Sequence, residues 1–166
     1  ILCALRDFVA NAAHITLKRE GRLGLVVIQR GLFTTIQDRG RPGYRARGVP
    51  VGGAFDVRSH ELANALVGNA PDAATLELTL RGGTYAAECD LALALAGAPM
   101  PAVIRRAGSP EIAFEGCRSF PLRRGDRLVL GDARHGARTY LAVAGGWRAP
   151  VVLGSRSGEE PLVNGA

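Results

Sequence analysis

The sequence predicts a mainly β domain, closed or nearly closed into a barrel, with one short helix. Three observations carry this. The 166 residues include 22 glycines and 9 prolines, a turn-rich composition that disfavours a helical bundle. Short apolar or alternating runs, roughly eight or nine of them, recur between turn residues. Only one segment carries both helix start and helix stop signals. With 47% hydrophobic residues, the chain can bury the core of one ordinary domain or slightly more.

Taken in order, residues 1–22 (ILCALRDFVANAAHITLKREGR) read as a short amphipathic helix and a charged linker, an appendage without readable chemistry. The domain proper runs over residues 23–150. Strands are expected at Leu25–Gln29 and Phe33–Gln37, both β-branched and apolar. A long irregular stretch, Asp38–Gly53, follows; Tyr44, Val49 and Val51 give it apolar anchors, and a loop of this length in a compact domain is usually functional. Asp56 is a good N-cap for a helix over Val57–Val67, with Leu62, Ala63, Leu66 and Val67 as its apolar stripe. Gly68 suits a left-handed C-cap, and Pro71 blocks continuation. Further strands are expected at Thr75–Leu80, Thr84–Ala87, Asp90–Ala96, Val103–Arg106, Glu111–Glu115, Arg127–Leu130 and Thr139–Ala144. In Asp90–Ala96, leucines alternate with alanines at period two, as in a strand buried on one or both faces.

Several function classes are disfavoured. The formal charge of +6 and pI near 10 suggest nucleic acid, but Lys18 is the lone lysine among 21 basic residues. The arginines are scattered and the aromatics, at 5%, do not interleave with them as a base-stacking platform requires. Cys3, Cys89 and Cys117 form no CxxC pair, and His14, His60 and His135 are dispersed, so no metal site is expected; a reducing cytoplasm fits best. No apolar stretch is long enough to span a membrane, so a soluble chain is expected. There is no phosphate loop, since the chain contains no Gly-Lys pair, and no GxSxG elbow. Gly145-Gly146 follows a strand without a GxGxxG helix start and is a weak phosphate signal.

The polar loop is the stronger candidate. Gln37, Asp38, Arg39, Arg41 and Tyr44 lie among glycines that let a backbone approach a ligand. An arginine there can fork onto a carboxylate or phosphate, with Asp38 orienting it or taking a proton. The same residues could equally pin the loop to itself. Glu77, between Leu76 and Leu78, projects opposite its apolar neighbours. Facing a barrel interior, it would need a partner or a raised pKa. Asn64, near the helix stripe, also needs a partner. For both, a structural hydrogen bond to the long loop is the alternative.

The string QDRGRPGYRARGVPVGGAFD (Gln37–Asp56) resembles the signature TxQDxGRxGYxxxGVPxxGAxD of the biotin-dependent carboxyltransferase-like family. LANALVGN (Leu62–Asn69), LEL-T (Leu76–Thr79), LAGA (Leu95–Ala98), YLAVAGG (Tyr140–Gly146) and LGSRS (Leu153–Ser157) continue it in the family's order. That family includes the C component of 5-oxoprolinase, proteins labelled allophanate hydrolase subunit 2, and a segment of urea carboxylase. The resemblance implies a cyclophilin-like β-barrel and a role as one component of an enzyme. Its partners would be a sister protein like the B component of 5-oxoprolinase and a protein like the A component. Such an assembly uses ATP, with those partners, to open 5-oxoproline or a related small amide or lactam. Two alternatives come with the family: a regulatory protein antagonising a kinase inhibitor, and the carboxyltransferase component of a urea carboxylase-like enzyme. No biotin-attachment motif is present, so biotin would arrive on another chain. On this reading Asp38, Arg41 and Glu77 are the catalytic candidates. Gln37, Tyr44, Asn64 and Arg156, the last in the LGSRS block, are the substrate-binding candidates. Family members run to roughly twice this length, Gly158 stands where a Thr is usual, and residues 1–22 match nothing in the family. Residues 151–166 are therefore expected to be the truncated start of a C-terminal half.

Overall fold

The computed structural model describes residues 15–19 and 22–158. Among the described residues, eleven strands pair into two antiparallel sheets, accompanied by one α-helix. The strands are β1 (Ile15–Arg19), β2 (Arg22–Gln29), β3 (Phe33–Gln37), β4 (Thr75–Thr79), β5 (Thr84–Ala87) and β6 (Leu91–Gly97), then β7 (Ala102–Arg105), β8 (Ile112–Phe114), β9 (Arg118–Leu122), β10 (Arg127–Leu130) and β11 (Arg138–Val143). The helix, α1, is Val57–Leu66. One sheet runs β1-β2-β5-β10-β7-β8, the other β3-β4-β11-β6-β9. The mainly β fold with one helix is as expected; the two sheets form facing layers that do not close into a complete barrel, an arrangement compatible with the cyclophilin-like fold.

The core lies between the layers. Leu25, Val27, Tyr85, Leu128 and Ile104 of the first sheet meet Ile36, Leu76, Leu78, Leu93, Leu122 and Leu141 of the second. Period-two alternation puts these residues on the inner faces. In β6 the leucines face this core, and Ala94 and Ala96 point the other way, yet both are buried. Small side chains there let α1 lie close: Ala63 of the helix packs with Ala54, Ala96, Ala142 and Tyr140 in a second apolar cluster. The second sheet is thus covered on both faces.

Three sequence expectations need correction. Ile15–Arg19, expected within a charged linker, is a strand paired with β2 from Ile15↔Val27 to Arg19↔Arg22; the expected N-terminal helix lies outside the described residues. β9, unforeseen because Pro121 interrupts its pattern, is an edge strand, where a missing amide is tolerated. The buried face of α1 is His60, Ala63 and Asn64, while Leu62 is exposed. Tertiary hydrogen bonds to the two polar residues fix that rotation. The N-cap and stop signals do hold: Asp56 accepts from the Ser59 amide at 3.1 Å, and Gly68 adopts φ +72°.

Candidate functional site

The Asp38–Gly53 stretch folds back on its own base. Arg41 N donates to Val51 O at 2.7 Å, and Ala54 N to Asp38 O at 2.8 Å. Gly40 and Gly53 make this closure possible. Both have positive φ, and a Cβ on either would lie within 3.0 Å of backbone from the opposite limb. Tyr44, Val49 and Val51 are half-buried, as anchors should be. Tyr44 precedes a single 3-10 turn, Arg45–Arg47, and its carbonyl accepts from Arg47 N and Val49 N.

At the base of this loop, Asp38 is a hub for the distant 155–157 segment. Its Oδ1 accepts from Gly40 N at 2.7 Å, Ser155 Oγ at 2.7 Å and Ser157 Oγ at 2.6 Å; Oδ2 accepts from Arg156 N at 2.5 Å. Ser157 Oγ also accepts from Asp38 N at 3.1 Å. Burial works to raise the carboxyl's pKa, but the hydroxyls of Ser157 and Ser155 and the amides of Arg156 and Gly40 together hold it below its ordinary value. Ser155 is delivered by a tight turn, with Val152 and Ser155 bonded to each other in both directions across Leu153 and Gly154. Leu153 sits there at φ 52°, a conformation costly for leucine.

Arg41 does not pair with Asp38, as the sequence had suggested. Its Nη2 donates to Ser157 O instead, so both residues fasten the same segment. Gln37 joins them by donating from Nε2 to Thr35 Oγ1 and to Gly158 O, each at 2.9 Å. Arg156 contributes its amide, and its side chain is exposed. Four of the seven candidate residues therefore meet in one clasp, with Tyr44 out on the loop above it.

Glu77 and Asn64 belong to the neighbouring surface of the second sheet. Thr35, Glu77, Tyr140 and Ala96 are cross-strand partners in one row. Glu77 does project opposite Leu76 and Leu78, but toward the helix-covered outer face rather than a barrel interior. Its Oε2 accepts from Phe55 N at 2.8 Å and from Tyr140 OH at 2.7 Å, and its Oε1 lies 3.1 Å from Arg138 Nε. Tyr140 OH in turn accepts from Asp56 N at 2.7 Å. Burial, with the Glu77 carboxylate adding to it, raises the tyrosine's pKa, so it stays a neutral donor. Behind this row His60 Nδ1 meets Thr75 Oγ1 at 2.8 Å, and Asn64 Nδ2 donates to Ala73 O at 2.8 Å. Asn69 ties Asn64 to β11, donating to Asn64 Oδ1 and Val143 O. Burial lowers the pKa of His60, which favours the neutral ring.

A cleft of roughly 360 Å³ opens beside Glu77, where the end of β6 meets the start of β11; Phe55, Asp56, Ala98, His135 and Arg138 are among its lining residues. Gly97 allows that junction, because a Cβ there would lie 2.5 Å from Arg138 O. The Arg138 guanidinium lies 5.1 Å from the centroid of the Phe55 ring, which is 79% exposed. Sequence reading missed Phe55, Arg138, Tyr140, Ser155 and Ser157. Phe55 lies in the Gln37–Asp56 signature, Tyr140 opens the YLAVAGG block, and Ser155 and Ser157 lie in the LGSRS block, but none of them carried a chemical signal of its own.

The family model described as carboxyltransferase domain, subdomain A and B, matches residues 47–163. The chain is 42% identical over 133 residues to the C component of 5-oxoprolinase from Escherichia coli strain K12, covering 80% of this chain and 41% of that protein. It is 38% identical over 128 residues to urea amidolyase of Lachancea kluyveri, covering 76% of this chain and 7% of that protein. The fold matches the crystal structure of the Kluyveromyces lactis urea carboxylase with a TM-score of 0.75 at 34% identity, over 86% of this chain and 13% of that one. The chain spans less than half the length of these relatives. Among the described residues, no helix is long and apolar enough to cross a membrane.

Proposed function

The chain belongs to the family of carboxyltransferase domains, subdomain A and B, and from that premise we propose that it serves as the C component of a 5-oxoprolinase-type enzyme. In that role it acts with partner proteins on 5-oxoproline or a related small amide or lactam. The observation that carries this reading is the 42% identity to a 5-oxoprolinase C component across 80% of the chain. The cleft beside Glu77 is compatible with it, being small, partly apolar and edged by a few polar groups.

Within that reading the two buried carboxylates take different parts. Asp38 is ionised and surrounded by donors, so it and Arg41 hold the loop rather than exchange protons. Glu77 fixes Arg138 and Tyr140 beside the cleft, where they can meet a substrate. The chain has no Gly-Lys pair to cradle phosphates, and among the described residues no acidic or histidine cluster could hold a metal for them. On this reading ATP is used together with the partner proteins, and no residue of this chain is given a nucleotide-binding role.

The test is co-expression with proteins of the A and B types and an assay of ATP-dependent conversion of 5-oxoproline to glutamate. Glutamate release that requires this chain supports the proposal; release unchanged in its absence overturns it. A second reading is favoured by the match to the urea carboxylase structure: a carboxyltransferase component fed by carboxybiotin on another chain. Carboxylation of urea in the presence of such a carrier, with no glutamate formed, would establish it instead.

A further inference from the structure

Helix α1 is seated on a buried ring whose proton is placed by a chain of amides. His60 is 0% exposed, and its ring meets Tyr140 edge-on, with centroids 5.8 Å apart. Backbone groups decide which way each amide points. Gly145 N can only donate, so the Asn69 atom 2.7 Å from it is Oδ1. Asn69 Nδ2 then donates to Val143 O and to Asn64 Oδ1. Asn64 Nδ2 in turn donates to Ala73 O at 2.8 Å and faces His60 Nε2 at 3.4 Å. That ring nitrogen therefore carries a lone pair. The one proton of the neutral ring sits on Nδ1, which donates to Thr75 Oγ1 at 2.8 Å. A second proton, on Nε2, sets N–H against N–H. Turning the Asn64 amide to relieve this breaks its bonds to Ala73 and Asn69.

The charges around the ring do not offset this. Burial, the largest influence, and Arg39 lower the pKa of His60; the Pro71 carbonyl and the Asp38 and Glu61 carboxylates act the other way without overcoming them. On α1 itself Asp56 caps the first turn through Ser59, and Arg58 is exposed. Asp72, in the segment that carries Ala73, is exposed too. Glu77 of β4 is paired with Arg138 of β11. β6 and β9 turn only alanine, serine and proline side chains to the helix.

We propose that α1 is an acid-released cover: a proton on His60 lifts the helix from the second sheet and bares the Tyr140–Glu77 row, while the sheets stay folded. The buried face of α1 is only His60, Ala63 and Asn64, so two polar residues form most of its seat. The apolar cluster it shares with the sheet is small, five buried residues. Opening exchanges a ring that excludes a second proton for one that takes it near 6.5, the ordinary histidine value. The closed state is therefore at full strength above pH 6.5. It weakens as the pH falls through 6.5 toward the lower closed-state value. The Asp56 amide leaves the Tyr140 hydroxyl with the helix, so mild acid also dismantles the support beside Glu77. The inference needs neither substrate nor partner and goes beyond the enzyme reading above.

The test is amide hydrogen exchange on the full 15N-labelled chain, from about pH 7.5 to about pH 5.5, corrected for the intrinsic pH dependence of exchange. Amides of His60–Leu66 should be less protected than those of Thr139–Val143. Their opening should grow below pH 6.5 by up to about tenfold per pH unit, the slope for uptake of one proton. His60→Gln keeps a donor and an acceptor and does not titrate, so its opening should be flat over this range. The 15N shifts of the ring in the unaltered chain should show the neutral Nδ1–H form at the upper pH. Three results each overturn the proposal: equal protection of α1 and β11 throughout, a ring protonated on Nε2 at neutral pH, or a His60→Gln variant that folds and keeps the full pH dependence. Where His60→Gln does not fold, the exchange and ring measurements on the unaltered chain decide.

Discussion

Asp38 and Glu77 are buried to nearly the same degree, 7% and 6% exposed, yet their surroundings differ in kind. Every group bonded to the Asp38 carboxylate is neutral, and most come from residues 155–157. Glu77 is held by a tyrosine, one backbone amide and an arginine that reaches a cleft. The first arrangement fixes one chain segment to another and leaves the charge no freedom. The second keeps a charged group at the edge of solvent, where a ligand can compete for it. Burial alone therefore says little about what a carboxylate does; the identity and exposure of its partners say more.

The comparison is sharpest at Asp38. Asp38→Ala leaves two buried serine hydroxyls and the Arg156 amide without their acceptor, so stability should fall by about 3 kcal/mol or more. Glu77→Gln keeps a hydrogen-bonding side chain beside Tyr140, and the released Arg138 can hydrate, so a loss of about 1–2 kcal/mol is expected. Urea denaturation of both variants checks the order. Equal losses would erase the distinction between clasp and cleft carboxylate.

Acid gives a second way to separate them. The Asp38 carboxyl is held below 3.8 in the fold, so the unfolded chain binds its proton more readily than the native one. Its stabilising contribution is therefore complete above pH 3.8 and drains as the pH falls through the lower native value. Midpoints measured from pH 6 down to pH 2 should fall less steeply in Asp38→Ala than in the unaltered chain. Identical slopes would mean that this carboxylate is not the acid-sensitive element.

The smallest expected effect concerns the turn that supplies the clasp. Leu153 is 44% exposed and held at φ 52°. Leu153→Asn places there a residue that tolerates the left-handed region, and should raise stability by about 0.5–1 kcal/mol. A fall in melting temperature would show that the leucine packs usefully despite its exposure.

Much of the fold is readable where local pattern and tertiary role agree. The leucines of β6 and the isolation of Glu77 between Leu76 and Leu78 follow from period two, and the ends of α1 follow from Asp56 and Gly68. What escapes depends on distance in sequence. Nothing near His60 or Asn64 reveals that Thr75 and Ala73 await them, so the apolar stripe misplaces the buried face of the helix. Closure into a barrel is decided by strand register, and Pro121 hides an edge strand that tolerates it. The loop signature marks Asp38 and Arg41 as important, but their partner is Ser157, 119 and 116 residues downstream. No local property of either residue could name it.

That separation has a consequence for biosynthesis. During translation Asp38 emerges well before Ser155, and until then the loop base has its own Arg41–Val51 and Asp38–Ala54 backbone bonds and the Gly40 amide on the Asp38 carboxylate. Ser155 also follows β11, the final strand of the described chain. A nascent polypeptide released ahead of it carries all eleven described strands but leaves the Asp38 carboxylate with the Gly40 amide and water in place of the Ser155, Arg156 and Ser157 donors. Limited proteolysis of a chain ending before Ser155 should therefore cut it first within Asp38–Gly53, earlier than it cuts the chain that carries Ser155 and Ser157.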